Sequence, residues 1–165
     1  MNNFTHVDPN KDLSDVVNTL NVSHSTVAKD FGFTKETNPT NNAFIDVQTL
    51  QSQLNNGIDL YTILDNDKLV GCIAIEKSSR EADTFYIEKV SVIPECRNQG
   101  YGLKLMNFAI DKIKYIGGSK ISIGLINENE CLKKWYMQQG FKEISIRKFE
   151  HLPFDVCYME KILKK

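Results

Sequence analysis

The residues best suited to chemistry lie in one stretch: Val90-Ser91-Val92-Ile93-Pro94-Glu95-Cys96-Arg97-Asn98-Gln99-Gly100-Tyr101-Gly102. A β-branched run reaches a proline, passes through Arg-x-x-Gly-x-Gly and opens directly into a helical pattern. The first N–H groups of a helix lack intrahelical partners, and the helix dipole adds partial positive charge there. Glycines at 100 and 102 leave those N–H groups open to a closely approaching phosphate. Arg97 supplies a full charge and a means of pinning the loop. The stretch therefore predicts an anion site. Other phosphate loops fit poorly. A dinucleotide fingerprint requires glycine where Leu105 stands, and a Walker loop requires Gly-Lys-Ser/Thr where the chain reads Gly102-Leu103-Lys104. A tight strand-to-helix turn with no ligand is the plain alternative.

The elements that must position this loop follow from periodicity. Leu103, Met106, Ala109, Ile110, Ile113 and Ile116 form one apolar stripe, predicting a helix over 101–116 that Gly117-Gly118 ends. Before the loop, 85–93 reads as a strand, and 58–64 and 69–75 as a hairpin around Asp65-Asn66-Asp67-Lys68. After the long helix come a strand over 120–126, a helix over 129–139 stopped by Gly140, and two closing strands over 141–149 and 154–162. The N-terminal third is harder to read. Leu13, Val16, Val17 and Leu20 suggest a helix over 13–20, residues 22–42 read as irregular with a short helix left open, and a second helix is expected over 44–54. The order α-α-β-β-β-α-β-α-β-β, with an extra strand at the start left open, implies a mixed sheet flanked by helices.

Composition narrows the class. The chain has 165 residues, 41% hydrophobic and 25% charged, and reads as a single domain over 1–165. A net charge of −1 gives no general attraction to nucleic acid or to an anionic membrane. The polar stretch 1–12 lacks the features of a signal peptide, and no apolar run approaches a membrane span. Cys72, Cys96, Cys131 and Cys157 form no CxxC, and His6, His24 and His151 are scattered, so no metal site is expected. Free, mostly buried thiols in a cytoplasmic protein are the expectation.

The sequence resembles the GNAT family, the Gcn5-related N-acetyltransferases. The family's central motif is a strand ending Val-x-Pro followed by Arg/Gln-x-x-Gly-x-Gly/Ala, here Val92-Ile93-Pro94 and Arg97 to Gly102. Its next motif is Asn, a Tyr seven residues on, then Gly-Phe, here Asn129, Tyr136 and Gly140-Phe141. The resemblance covers 58–161. It implies an α/β (α+β) fold: a mostly antiparallel mixed sheet with a central, splayed parallel strand pair, 85–93 and 120–126, flanked by helices.

The resemblance also implies roles. The backbone of Val90, Ser91 and Val92 would pair with the pantetheine arm of acetyl-coenzyme A. The N–H groups of Arg97, Asn98, Gln99, Gly100, Tyr101 and Gly102 would hold its pyrophosphate. Asn129 would reach the pantetheine from the far side of the splay, although a plain helix cap also accounts for it. Tyr136 would be the general acid toward the departing thiolate, against the plain reading of a core tyrosine beside Trp135. Glu88, with the same strand parity as Val90 and Val92, is the candidate base if burial raises its pKa; a surface carboxylate or a water chain are the alternatives. The acid that some relatives carry on the next strand is absent, its place being Gly124. The N–H of Val92 would polarise the thioester carbonyl. A cysteine nucleophile, Cys96 or Cys131, has no histidine in either motif to activate it.

These implications predict an acetyl-CoA-dependent N-acetyltransferase, with no metal, acting on a primary amine of a small molecule in preference to a protein; a homodimer is left open. Residues 147–155 are expected on the acceptor side, where Glu150, His151 and Asp155 either meet the amine or form a solvated turn. The alternative is a non-catalytic acyl-CoA sensor, which would need neither Tyr136 nor a base.

Overall fold

A computed structural model describes residues 2–164. Seven strands form one sheet: β1 (Asn2–His6), β2 (Ile58–Asp65), β3 (Lys68–Lys77), β4 (Thr84–Val92), β5 (Lys120–Ile126), β6 (Lys142–Lys148) and β7 (Asp155–Ile162). Their order is β1-β2-β3-β4-β5-β7-β6, and every pair is antiparallel except the parallel pair β4–β5. The expected fold is the one observed, with β1 as the extra strand at the start. The β2–β3 hairpin turns through Asn66 and Asp67, both at positive φ, the geometry that matches strand twist in a two-residue turn.

Among the described residues four α-helices cover the sheet: α1 (Ser14–Asp30), α2 (Val47–Asn55), α3 (Tyr101–Tyr115) and α4 (Glu130–Gln138). One face packs α3 and α4 through Leu105, Met106, Ala109, Ile113 and Tyr136 onto Ile73, Ile87, Ile121 and Ile123. The other packs α1 and α2 through Leu13, Val16, Leu20 and Leu50 onto Leu60, Cys72 and Ala74. No helix among the described residues is long and apolar enough to cross a membrane.

Helix α1 runs ten residues beyond the predicted end at Leu20, through a segment expected to be irregular. Its buried positions past Leu20 are Ser23 and Ala28, small residues that carry no hydrophobic signal yet let the helix sit close to the sheet. The thiols also differ from expectation. Cys72 and Cys157 are buried, but Cys96 is half-buried and Cys131 is exposed.

Two irregularities in β4 shape the site. Its parallel pairing with β5 covers only Thr84↔Lys120, Phe85↔Ile121 and Tyr86↔Ser122, after which no further register exists between them. Its pairing with β3 shifts between Ala74↔Glu88 and Cys72↔Ser91, with Lys89 bulged out at φ 56°. A bulge inserts one residue and reverses the alternation beyond it. Phe85 and Ile87 before it, and Val90 and Val92 after it, all meet the α3 face. Glu88 and Ser91 lie on the α1 face, opposite Ala74 and Cys72 respectively.

Candidate active site

The loop from β4 to α3 is built from backbone geometry. Asn98 and Gly100 hold φ of 62° and 87°, and a Cβ at Gly100 would meet nothing within 4 Å, so this turn favours glycine for its conformation and leaves open space beside it. No side chain caps the N-terminus of α3. At Gly102 a Cβ would come within 3.2 Å of the Trp135 ring, so this glycine is set by the packing of α3 against α4. The uncapped helix start and the bare Gly100 backbone fit a phosphate.

Arg97 ties the loop down. Its Nε donates to the Val92 carbonyl at 3.2 Å, Nη1 to Thr26 Oγ1 at 2.9 Å and Nη2 to the Ser23 carbonyl at 2.6 Å. The pinning role foreseen for this residue reaches across to α1. Asn98 and Gln99 are exposed, the latter donating to the Glu95 carbonyl at 3.3 Å. Tyr101 turns its side chain into the core, where its hydroxyl donates to Asp65, so any ligand contact there is through the backbone.

Along β4, Ile93 N donates to the Val70 carbonyl at 2.9 Å, toward β3. Strand alternation therefore turns the N–H groups of Val92 and Val90 the other way, toward the gap left by β5. Ser91 pairs with Cys72 on the β3 side, and its hydroxyl donates to the Lys89 carbonyl at 2.9 Å while sitting 2.9 Å from His24 Nε2. With the hydroxyl proton so placed, His24 Nε2–H is the donor of that second bond. Burial, with Lys89 and Arg97 close by, holds the His24 imidazole neutral, its pKa lowered to about 4. Of the three strand positions singled out, Val90 and Val92 address the gap and Ser91 supports them from behind.

Glu88 does not share the parity of Val90 and Val92, because the Lys89 bulge intervenes. It lies across the sheet from them and lines a cleft of about 240 Å³ with Glu76, Tyr86, Ser122, Gly124 and Tyr158. Burial, and next the hydrogen-bonded Glu76 carboxyl, raise its pKa to about 7. Its Oε1 is buried and finds no partner among the described residues. Gly124 is exposed in this wall, with the Tyr158 ring 3.4 Å from where a Cβ would stand.

Tyr136 sits on the opposite, α3 side, 7% exposed and edge-on to Trp135 and Phe141 at 5.1 and 5.6 Å between ring centroids. Burial pushes its phenol well above the usual range, so it stays protonated. Asn129 caps α4, its Oδ1 accepting from Leu132 N at 3.2 Å. The helix-cap reading is thus realised, with the amide nitrogen the part left to address a ligand. In the 147–155 segment expected to face the acceptor, Phe154 packs against Phe33, ring centroids 5.1 Å apart, which joins the β6–β7 loop to the segment after α1; His151 and Glu150 are exposed.

Reasoning from sequence missed Glu76, Tyr86, Tyr158 and His24. The first three carry a faint signal, being polar or aromatic at alternate positions of apolar strands. His24 has none, lying in a segment whose helix was not foreseen.

The chain belongs to the Acetyltransferase (GNAT) family, whose sequence profile matches residues 27–141. Among curated relatives, an amino-acid acetyltransferase of Neisseria meningitidis serogroup A is 36% identical over 93 residues, covering 56% of this chain and 20% of the relative. The chain thus spans only a fifth of that protein's length. The fold is also that of the ribosomal-protein-S18-alanine N-acetyltransferase of Escherichia coli, with TM-score 0.77, 17% identity, and 100% and 96% of the two chains covered. A GNAT family acetyltransferase from Elizabethkingia anophelis with acetyl-CoA bound aligns with TM-score 0.72 and 19% identity over 98% of each chain.

Proposed function

We propose that this chain transfers the acetyl group of acetyl-CoA to a primary amine by direct attack. The observation that carries the proposal is the split between β4 and β5, with the bare Gly100 turn and the uncapped start of α3 at its end, the Tyr136 phenol on one side and the Glu88 carboxyl on the other. The family membership and an acetyl-CoA-bound structural neighbour support the choice of cosubstrate.

The pyrophosphate lies against the N–H groups of Arg97 to Gly102, and the pantetheine arm runs along the exposed edge of β4 at Val90 and Val92 toward Asn129. The amine enters from the cleft on the α1 face. Glu88 takes a proton from the incoming ammonium, a step suited to a carboxyl with a pKa near neutrality. The amine nitrogen then bonds to the thioester carbonyl carbon while the Val92 N–H steadies the developing oxyanion. As the carbon–sulfur bond breaks, Tyr136 donates a hydrogen bond to the leaving thiolate, while the attacking nitrogen releases its second proton to water, from which the thiolate is protonated to the free thiol. Because burial raises the phenol far above a thiol, stabilisation of the thiolate is favoured over complete proton transfer. Positioning of the two reactants supplies much of the rate.

The test is thermal unfolding with and without acetyl-CoA, followed on the same sample by a panel of amines monitored for free thiol. Stabilisation and thiol release are expected. Stabilisation with no release for any amine would leave an acyl-CoA sensor, and neither effect would remove the proposal.

A further inference from the structure

The cleft that Glu88 lines has a distinctive charge pattern. Glu76 faces Tyr86 across the β3–β4 ladder, and Ala74 faces Glu88, so the two carboxyls are diagonal neighbours on one face. The other polar groups lining the cleft are the phenols of Tyr86 and Tyr158 and the hydroxyl of Ser122; no cation among the described residues lines it. The Lys89 charge reaches both carboxyls, but neither its ammonium nor that of Lys120 lines the cleft. Lys89 Nζ donates to Asn42 Oδ1 at 2.7 Å, and Lys120 Nζ is held by Glu81 at 2.5 Å and Glu160 at 3.4 Å. The buried, unpartnered Oε1 of Glu88 calls for a donor in this cleft.

An ammonium meets that need. A carboxylate on the adjacent carbon does not, because it would be carried within a few ångströms of the Glu76–Glu88 pair with no cation to receive it. Like charges set against each other in a partly desolvated site are strongly unfavourable. Glycine at position 124 keeps the cleft open between the tyrosines, with room for an uncharged chain or an amide beside the amine.

Resting on the acetyl-transfer reading above, we propose that Glu76 is a second acidic group of the acceptor site and that, with Glu88, it selects amines lacking a free carboxylate on the neighbouring carbon. A free α-amino acid is then a poor acceptor, and the same molecule as its amide, or a simple diamine, is a good one. Glu76 acts as a positioning and selecting residue and takes no proton in the transfer itself.

The experiment uses the full chain, acetyl-CoA and thiol release, with alanine, alaninamide and 1,4-diaminobutane as acceptors. The expected result is a kcat/KM for alaninamide or diaminobutane at least ~10-fold above that for alanine. A preference for diaminobutane marks a small cationic acceptor, and a preference for alaninamide a peptide-like amine. Glu76→Gln, checked for a native melting curve, should shrink the amide-to-acid ratio by about tenfold, chiefly through KM, and Glu76→Asp should restore most of it. A merely structural Glu76 would lower all rates together without moving the ratio. Alanine accepted as well as alaninamide, or an unchanged ratio in folded Glu76→Gln, would overturn the inference while leaving acetyl transfer intact. Failure of every amine, free amino acids included, would overturn acetyl transfer itself and this inference with it.

Discussion

The two faces of β4 do their work with different materials. On the side proposed for the cofactor, the edge of Val90–Val92, the turn at Asn98 and Gly100 and the uncapped start of α3 present backbone groups, with the Arg97 side chain turned away to hold the loop. On the side proposed for the acceptor, Glu76, Glu88, Tyr86 and Tyr158 present side chains from three strands, and the Lys89 bulge only sets which face Glu88 takes. Backbone recognition suits a cosubstrate whose phosphates and amides are constant. Side-chain recognition can be altered one residue at a time, and so suits the partner that defines specificity.

The contrast can be broken by substitution. The largest effect is expected from Gly100→Val, which places a branched side chain where the loop is bare. Acetyl-CoA should no longer raise the melting temperature, while the protein still folds, with about 1–2 kcal/mol of strain from the positive φ. Retention of acetyl-CoA affinity in the folded variant would refute the loop assignment. Next, Glu88→Gln should lower kcat by roughly 10²–10⁴ and leave cofactor affinity unaltered. In the wild type, kcat/KM should rise with pH through about 7 as Glu88 loses its proton, and the variant should lack that limb. A limb that persists assigns the base elsewhere.

Tyr136→Phe is expected to reduce turnover by roughly 10²–10³, the range for loss of a single stabilising donor, again with affinity preserved. Equal rates would return Tyr136 to the core alone. The smallest effect concerns stability and not turnover. His24 is neutral in the folded chain down to about pH 4, whereas in the unfolded chain it binds a proton below about 6.5. The unfolded state therefore binds more protons in that window, and stability should fall as pH drops from about 6.5 to 4. Replacing His24 with Gln should flatten this decline by on the order of 1–2 kcal/mol in denaturant titrations at the two ends of the window.

How far each side could be read from sequence follows from the same contrast. Glycines 100 and 102, Pro94 and the stripe from Leu103 to Ile116 are residue types that backbone geometry demands, so the strand, loop and helix were legible. The Lys89 bulge was not. A lysine at φ 56° leaves no trace in composition, and without the bulge Glu88 reads as sharing a face with Val90 and Val92. Helix α1 was half-hidden for a related reason: Ser23 and Ala28, on its buried side, interrupt the apolar period that marks a helix. Glu76 and Tyr158 acquire meaning only once strands distant in sequence are laid side by side.

The three bonds of Arg97 have a consequence for how the molecule assembles. Those to Ser23 and Thr26 join residues 74 and 71 positions apart. Contacts that close such long loops must await most of the ordering between their ends. The Arg97–Gly102 loop should therefore acquire its final shape late in folding, when α1 docks against β4, and the N-terminal third of the chain becomes a folding checkpoint for a loop that lies far from it in sequence.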